Sequence, residues 1–223
     1  MMILIITILL LILAYLSGSV NFAIIVTRLV TGKDIRTLGN YNPGTANVGR
    51  SVGKGWAGVV FFLDVFKGLG PMILSRLVFF PGNTYWEFFL VAAVGIAAVT
   101  GHCKPVFFQF RGGGGIATSI GVYSFFIPAE LFLCMLTGFL IVMLFIKRVR
   151  FRIGQWVPIL FIALTPFVTL ILNFFVDLPL FAGRSLGGHP WYVLVIAFAL
   201  SFFILGMNFS FMGHRLREIG GSS

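Results

Sequence analysis

The sequence predicts an all-α, polytopic membrane helix bundle, and three observations predict it. Of the 223 residues, 59% are hydrophobic and only 10% are charged, and the mean hydropathy is +1.05. A chain so apolar belongs in lipid, which excludes the soluble enzyme classes. The apolar residues fall in seven runs, at about 2–30, 54–80, 84–101, 115–128, 130–146, 155–177 and 191–212. A membrane helix needs ~20 such residues, fewer when other helices surround it. The cations gather in alternate connections: Arg28, Lys33, Arg36, Arg50 and Lys54 around the first, Lys104 and Arg111 in the third, and Lys147, Arg148, Arg150 and Arg152 in the fifth. Arg215 and Arg217 follow the last run, whereas the opposite connections hold little beyond Glu130, Asp177 and Arg184. Seven spans place every basic connection on one face, the cytoplasmic one, with the N-terminus outside and the C-terminus inside. Six spans, the fallback, would put one basic loop on the wrong side. The runs leave no room for a separate soluble domain, so residues 1–223 read as a single integral membrane domain. The net charge of +10 is read as topology and lipid headgroup contact, with no nucleic-acid partner.

The first run has no basic segment before it and is longer than the apolar core of a signal peptide needs, so it reads as a retained membrane helix. Ser17, Gly18, Ser19 and Asn21 interrupt its middle, either for close helix packing or as a polar notch. The connection that follows, GKDIRTLGNYNPGTANVGRSVG over 32–53, carries Asp34, Arg36, Asn40, Asn42, Asn47 and Arg50 among Gly39, Gly44 and Gly49. Arg offers a planar fork for phosphate and Asn offers donor and acceptor for a hydroxyl, so the loop suits a small polyol phosphate. The plainer reading is a basic loop that serves topology alone. In the second run Asp64 and Lys67 stand three residues apart on one helical face, and ionisable groups there turn inward and pair, as a site or as a structural ion pair. The third connection, GHCKPVFFQFRGGGGIAT over 101–118, ends in four glycines that open into an apolar run. Free N–H groups of the glycine backbone and of the next helix's first turn make an anion cradle, or else the run is a flexible turn. Pro128 and Glu130 alone divide the fourth run from the fifth, which leaves one kinked or hairpin-like unit as an alternative there. Cys103 and Cys134 sit in unlike settings, which argues against a structural disulfide.

In order and spacing, GSVN (18–21), KDIR (33–36), GNYNPGTANVGR (39–50), LDVFKG (63–68) and GHCKPVFFQFRGGGGIAT (101–118) resemble the bacterial acyl-phosphate:glycerol-3-phosphate acyltransferases, the PlsY family. The resemblance covers roughly the first half of the chain. It implies a multi-pass enzyme of the bacterial inner membrane that moves a fatty acyl group from acyl phosphate to the 1-hydroxyl of glycerol 3-phosphate, giving lysophosphatidate and phosphate for phospholipid synthesis. No cofactor or metal is implied, and the partners are membrane lipids and the two substrates. By the same resemblance Ser19, Arg36, Gly39, Asn42, Gly44, Asn47 and Arg50 line the glycerol-phosphate region. Gly112, Gly113, Gly115 and Thr118 form the phosphate cradle, and His102 stands near the reacting centre. His102 and Asn47 are the candidate catalytic residues, with His102 as general base or, alternatively, a packing histidine. Asp64 and Lys67 join the substrate-binding set. The chain departs from the pattern at Gly114, where the family has lysine, and Lys104 and Arg111 are the candidates to compensate. It departs again at Asn21, where the family has proline. These departures keep a weakened or inactive lipid-binding paralogue as an alternative function, and a small transporter is a third, suggested by intramembrane Asp64 and Lys67 and by the glycine-interrupted helices.

Overall fold

The computed structural model describes residues 2–145, 149–179 and 185–220, and among them the chain is all-α apart from one small hairpin. Lys147, Arg148 and Arg184, which enter the charge argument, lie outside the described residues. The chain divides into two compact units, Met1–Val122 and Tyr123–Ser223.

In the first unit α1 spans Met2–Ser19 and α2 spans Phe22–Thr31, so the first apolar run is two helices rather than the one expected. The reason is local. Asn21 is extended, at φ −93° and ψ 97°, and its side-chain oxygen accepts the Ile24 N–H at 3.1 Å, which starts a fresh helix. Gly32, at φ +70°, closes α2 with its N–H on the Arg28 carbonyl. A short 3₁₀ turn at Ile35–Thr37 and α3 at Thr45–Ser51 organise the first connection. Buried Ala23, Ile24, Val26, Ile35, Val48 and Val60 form one apolar cluster that anchors this connection to α2 and to α4, Lys54–Leu74. A π-helical turn at Ser75–Phe79 extends α4, and α5 follows at Tyr85–Cys103 behind a Thr84–Glu87 capping box.

Small residues set the helix crossings here. A Cβ on Gly18 would stand 2.0 Å from the Ala98 carbonyl oxygen, and one on Gly101 would stand 2.1 Å from that of Tyr15, so α1 and α5 pack backbone to backbone. The close-packing reading of Gly18 therefore holds. Gly68 of α4 meets the Thr118 carbonyl of α6, Ile116–Phe126, in the same way.

In the second unit α7 (Pro128–Phe145) follows α6 with only Ile127 between, so these two apolar runs join without a polar connection. Pro128 occupies the first helical position, where its missing N–H costs nothing. Next come α8 (Val149–Phe175), strands β1 (Asp177–Pro179) and β2 (Ser185–Gly187), and α9 (Trp191–Gly220). The strands pair antiparallel with Leu178 opposite Leu186, a hairpin that the apolar pattern did not announce. Tyr123 Oη lies 2.6 Å from Ser201 Oγ, which donates to the Ile162 carbonyl, and this buried chain of hydroxyls ties the unit's helices.

By length and composition three helical segments among the described residues can cross a membrane: Met2–Thr31, Lys54–Phe79 and Tyr85–Phe108. Shorter apolar helices cover Ile116–Phe126, Pro128–Leu144, Leu160–Phe175 and Trp191–Met207, so each of the seven expected runs is helical. Exposed Ile3, Leu4, Leu13, Phe62 and Phe66 are the side chains a lipid-facing surface calls for.

Candidate active site

Two loops and one broken helix converge in the first unit. The first loop is a self-fastened structure. Asn47 is buried, its amide donates to the Ile35 and Leu38 carbonyls at 3.2 and 2.9 Å, and its oxygen accepts from Asn40 N–H and Ser51 Oγ. All four of its hydrogen-bonding positions serve the loop itself, so this candidate catalytic residue acts in the structure as a staple. Gly39 is held to glycine twice over, by φ +56° and because a Cβ would lie 2.2 Å from Asn47 Oδ1.

Arg36 is likewise committed. Its guanidinium grips Asp34 at 2.8 Å, donates to the Phe108 carbonyl at 3.2 Å and faces the Phe108 ring, which ties the first loop to the 3₁₀ turn Val106–Phe108 of the second. Arg28 completes the clamp at 2.6 Å from Asp34. The Arg36 hydrogen bond, with Arg28 adding to it, holds the Asp34 carboxyl far below the usual carboxylate range. Ser19 is fully buried at the end of α1, donates to the Tyr15 carbonyl and accepts from Val106 N–H, and Tyr15 Oη donates to the Lys104 carbonyl. These bonds pin the second loop to α1.

The meeting point is Gly113. Its N–H donates to the His102 carbonyl at 3.2 Å, and a Cβ there would lie 2.5 Å from His102 Nε2 and 2.7 Å from the Pro43 carbonyl oxygen. Only glycine lets the apex of the first loop, the glycine run and the His102 ring come together. Gly112 is packed as tightly, against the His102 and Cys103 carbonyls, and Gly115 takes φ +77° to launch α6. The first N–H groups of α6 have no intrahelical acceptor. Thr118, one turn in, is fully buried, and among the described residues its hydroxyl has no hydrogen-bond partner. On the facing loop the Asn42 side-chain oxygen is in the same condition, and Gly44 follows it at the N-cap of α3.

Behind His102 lies a buried charge row. His102 Nδ1 is 3.6 Å from Asp64 Oδ1, and Lys67 Nζ is 2.7 Å from that oxygen. Lys67 also donates to the Val20 carbonyl at 2.8 Å, the group that the helix break between α1 and α2 leaves free, and faces the Phe22 ring. An open groove of about 550 Å³ runs between α1 and α4, lined by Leu10, Leu13, Leu63, Phe66 and Leu74, with Lys67 and Ser17 as its polar lining. Among the described residues no three His, Cys, Asp or Glu side chains gather as a metal site.

Of the residues expected from sequence, Ser19, Arg36, Gly39, Asn42, Gly44, Asn47, Asp64, Lys67, His102, Gly112, Gly113, Gly115 and Thr118 thus sit in or directly behind this convergence. Arg50, Lys104 and Arg111 are exposed and form no ion pair among the described residues. Sequence reasoning missed two things. One is the Asp64–His102 proximity, which links positions 38 apart and left no local signal. The other is the carbonyls of Val20 and Pro43, since backbone acceptors have no residue signature. Asn21 was singled out as part of the polar stretch SGSVN, but not as a helix cap.

Comparison with known proteins agrees with the geometry. The profile of the family described as glycerol-3-phosphate acyltransferase matches residues 8–216. A glycerol-3-phosphate acyltransferase of Anaeromyxobacter dehalogenans is 41% identical over 114 residues, which is 51% of this chain and 56% of that relative. The chain thus spans about half the length of that relative. The enzyme of the same description from Shouchella clausii is 40% identical over 169 residues, 74% of this chain and 76% of its own. Among solved structures, PlsY, an integral membrane glycerol 3-phosphate acyltransferase in its glycerol 3-phosphate form, superposes with a TM-score of 0.71 at 27% identity, over 95% of this chain and 92% of that one. Its lysophosphatidic acid form gives 0.68 at 25% identity. The chain is a bacterial integral membrane protein and belongs to the glycerol-3-phosphate acyltransferase family.

Proposed function

We propose that this protein transfers a fatty acyl group from acyl phosphate to the 1-hydroxyl of glycerol 3-phosphate. The convergence of the first loop and the glycine run on His102 carries the reading, because it puts two anion-competent backbones beside one buried base. Acyl phosphate is a mixed anhydride, already activated. The hydroxyl oxygen attacks the acyl carbonyl, the carbon–oxygen bond to phosphate breaks, and phosphate leaves with the electron pair. The protein therefore has to align the hydroxyl and neutralise phosphate charge. In this reading His102 Nε2 accepts the hydroxyl proton, and Asp64 behind Nδ1 orients the ring. Gly112, Gly113, Gly115 and Thr118 with the first turn of α6 cradle a phosphate. Ser19, Asn42 and Gly44 frame the glycerol phosphate, while Gly39, Arg36 and Asn47 hold that frame, and Arg50, exposed outside the convergence, contributes its charge from the solvent side. The apolar groove between α1 and α4 takes the acyl chain, with Lys67 where it nears the polar centre.

The same reading takes residues 1–223 as one domain with seven spans in the inner membrane, the basic connections and both loops on the cytoplasmic side. Purified protein given acyl phosphate and glycerol 3-phosphate should release phosphate and form lysophosphatidate in equal amounts. Folded protein that does neither, beside an active family member, defeats the proposal.

One observation favours a second reading. Gly114 stands where the family has lysine, and Lys104 and Arg111 are exposed, so the protein would bind a phosphorylated polyol or lipid and turn over slowly. Gly114→Lys separates the two: a large gain in rate marks a cradle short of one charge, and tight binding without turnover in either form marks a binding protein.

A further inference from the structure

Asn21 is fully buried at the break between α1 and α2, and its side chain does two separate jobs. The oxygen caps α2 by accepting the Ile24 N–H, while the amide nitrogen donates to the Pro43 carbonyl at 3.3 Å, across 22 residues of chain. That carbonyl is the one that stands against Gly113, the residue that the His102 ring also packs on. Beside Asn21, the Val20 carbonyl receives Lys67, whose ammonium pairs with Asp64 behind the same histidine. The helix break thus reaches the convergence along two routes, to the loop apex through Asn21 and to the buried charge row through Lys67.

We infer that Asn21 is a positioning residue: by holding the Pro43 carbonyl it fixes how far the apex of the first loop stands from the glycine run, and so the width of the acceptor-binding gap beside His102. The inference rests on the acyltransferase reading for its kinetic consequence and on the two hydrogen bonds for its structural one. A cap alone could be supplied by serine, threonine or aspartate, but only a side chain with both an acceptor and a donor at this length can cap α2 and tether Pro43 together.

Asn21→Ser separates the two jobs, because a serine hydroxyl caps a helix and is too short to reach Pro43. In the intact protein, amide exchange should rise in the segments holding residues 38–51 and 110–116 while α2 keeps its protection. The KM for glycerol 3-phosphate should rise about five- to tenfold, the scale of one lost buried hydrogen bond, with the KM for acyl phosphate unchanged. Asn21→Gln, which keeps donor and acceptor, should restore part of the KM. Exchange in both segments equal to wild type would overturn the tether. Raised exchange with an unchanged acceptor KM would reduce Asn21 to a structural residue and overturn the positioning role. If the wild type turns over neither substrate, the acyltransferase reading fails by itself, and the exchange measurement still decides whether Asn21 sets the loop apex.

Discussion

Among the described residues two carboxylate–histidine pairs are buried, one in each unit, and they are built differently. In the second unit Glu130 is fully buried, and its Oε1 lies 2.7 Å from His189 Nε2 and accepts the Gly187 N–H at 2.9 Å. The His189 N–H in turn donates to Asn173 Oδ1. Every one of these contacts closes the turn after β2 onto α7 and α8, and a direct hydrogen bond at that distance is a fastener. In the first unit Asp64 and His102 stand 3.6 Å apart, beyond a direct bond, with Lys67 sharing the carboxylate. The far edge of His102 faces glycine backbone that a single methyl group would fill. The same two residue types therefore make a closed latch in one place and, in the proposed reading, an oriented base in the other. What separates them is the ring's second edge, which in the first unit packs directly against the glycine backbone at Gly113, and a titratable pair alone is no mark of a site.

The comparison is broken most directly by removing each histidine. His102→Gln is expected to lower kcat by about 10²–10⁴-fold, the usual contribution of a positioned general base, with thermal unfolding in detergent little changed. His189→Gln is expected to do the reverse, leaving kcat near the wild-type value and lowering stability by about 1–3 kcal/mol through an unpaired buried carboxylate. Equal effects of the two on kcat would erase the distinction. The glycines sharpen it at the next level. Gly113→Ala should cost about 10² in kcat/KM by displacing His102 or Pro43, whereas Gly187→Ala, at φ +75° and 1.8 Å from the Val176 carbonyl oxygen, should cost at least about 1 kcal/mol of stability without acting on the chemistry. Steady-state kinetics and unfolding midpoints on the same preparations check both.

The smallest effect concerns pH. Because Arg36 and Arg28 depress the Asp34 carboxyl, the folded state holds that proton more weakly than the unfolded chain does. The clamp's contribution is therefore complete above the unfolded value of about 4 and is lost as pH falls through the lower folded value. Stability attributable to Asp34 should be flat from about pH 5 upward, and Asp34→Asn should narrow its gap to wild type only below that range. A gap that widens on acidification would contradict the clamp.

Much of the architecture was legible before any coordinates. Composition alone placed the chain in lipid, and the seven apolar runs are helical, with α5 at Tyr85–Cys103 close to the expected 84–101, although the first run splits in two and α8 and α9 extend six to eight residues beyond their runs. Apolar length is a local property, and so are capping residues such as Thr84. The break at Val20 and Asn21 was half visible, because SGSVN announces polarity without saying whether the helix bends, packs or restarts. The pairing of Asp177–Pro179 with Ser185–Gly187 was not visible, since two three-residue strands carry no periodicity. For the site, the loops and their glycines were readable because backbone approach demands glycine, and the Asp64–Lys67 pair was readable because three residues make one helical face. The partnership of Asp64 with His102 was not, since it depends on how α4 meets α5. Asn47 shows a limit of another kind: a loop asparagine suggests a catalytic or substrate contact, and the sequence does not announce that its four hydrogen bonds all return to the loop that carries it.

The central claim is that the gap between the first loop and the glycine run, beside His102, is where acyl transfer occurs. Its most direct test is the rate of lysophosphatidate formation from acyl phosphate and glycerol 3-phosphate by the wild type, His102→Gln and His189→Gln, each confirmed folded. Turnover is expected in the wild type and in His189→Gln, with loss in His102→Gln alone. Turnover in His102→Gln equal to wild type would contradict it.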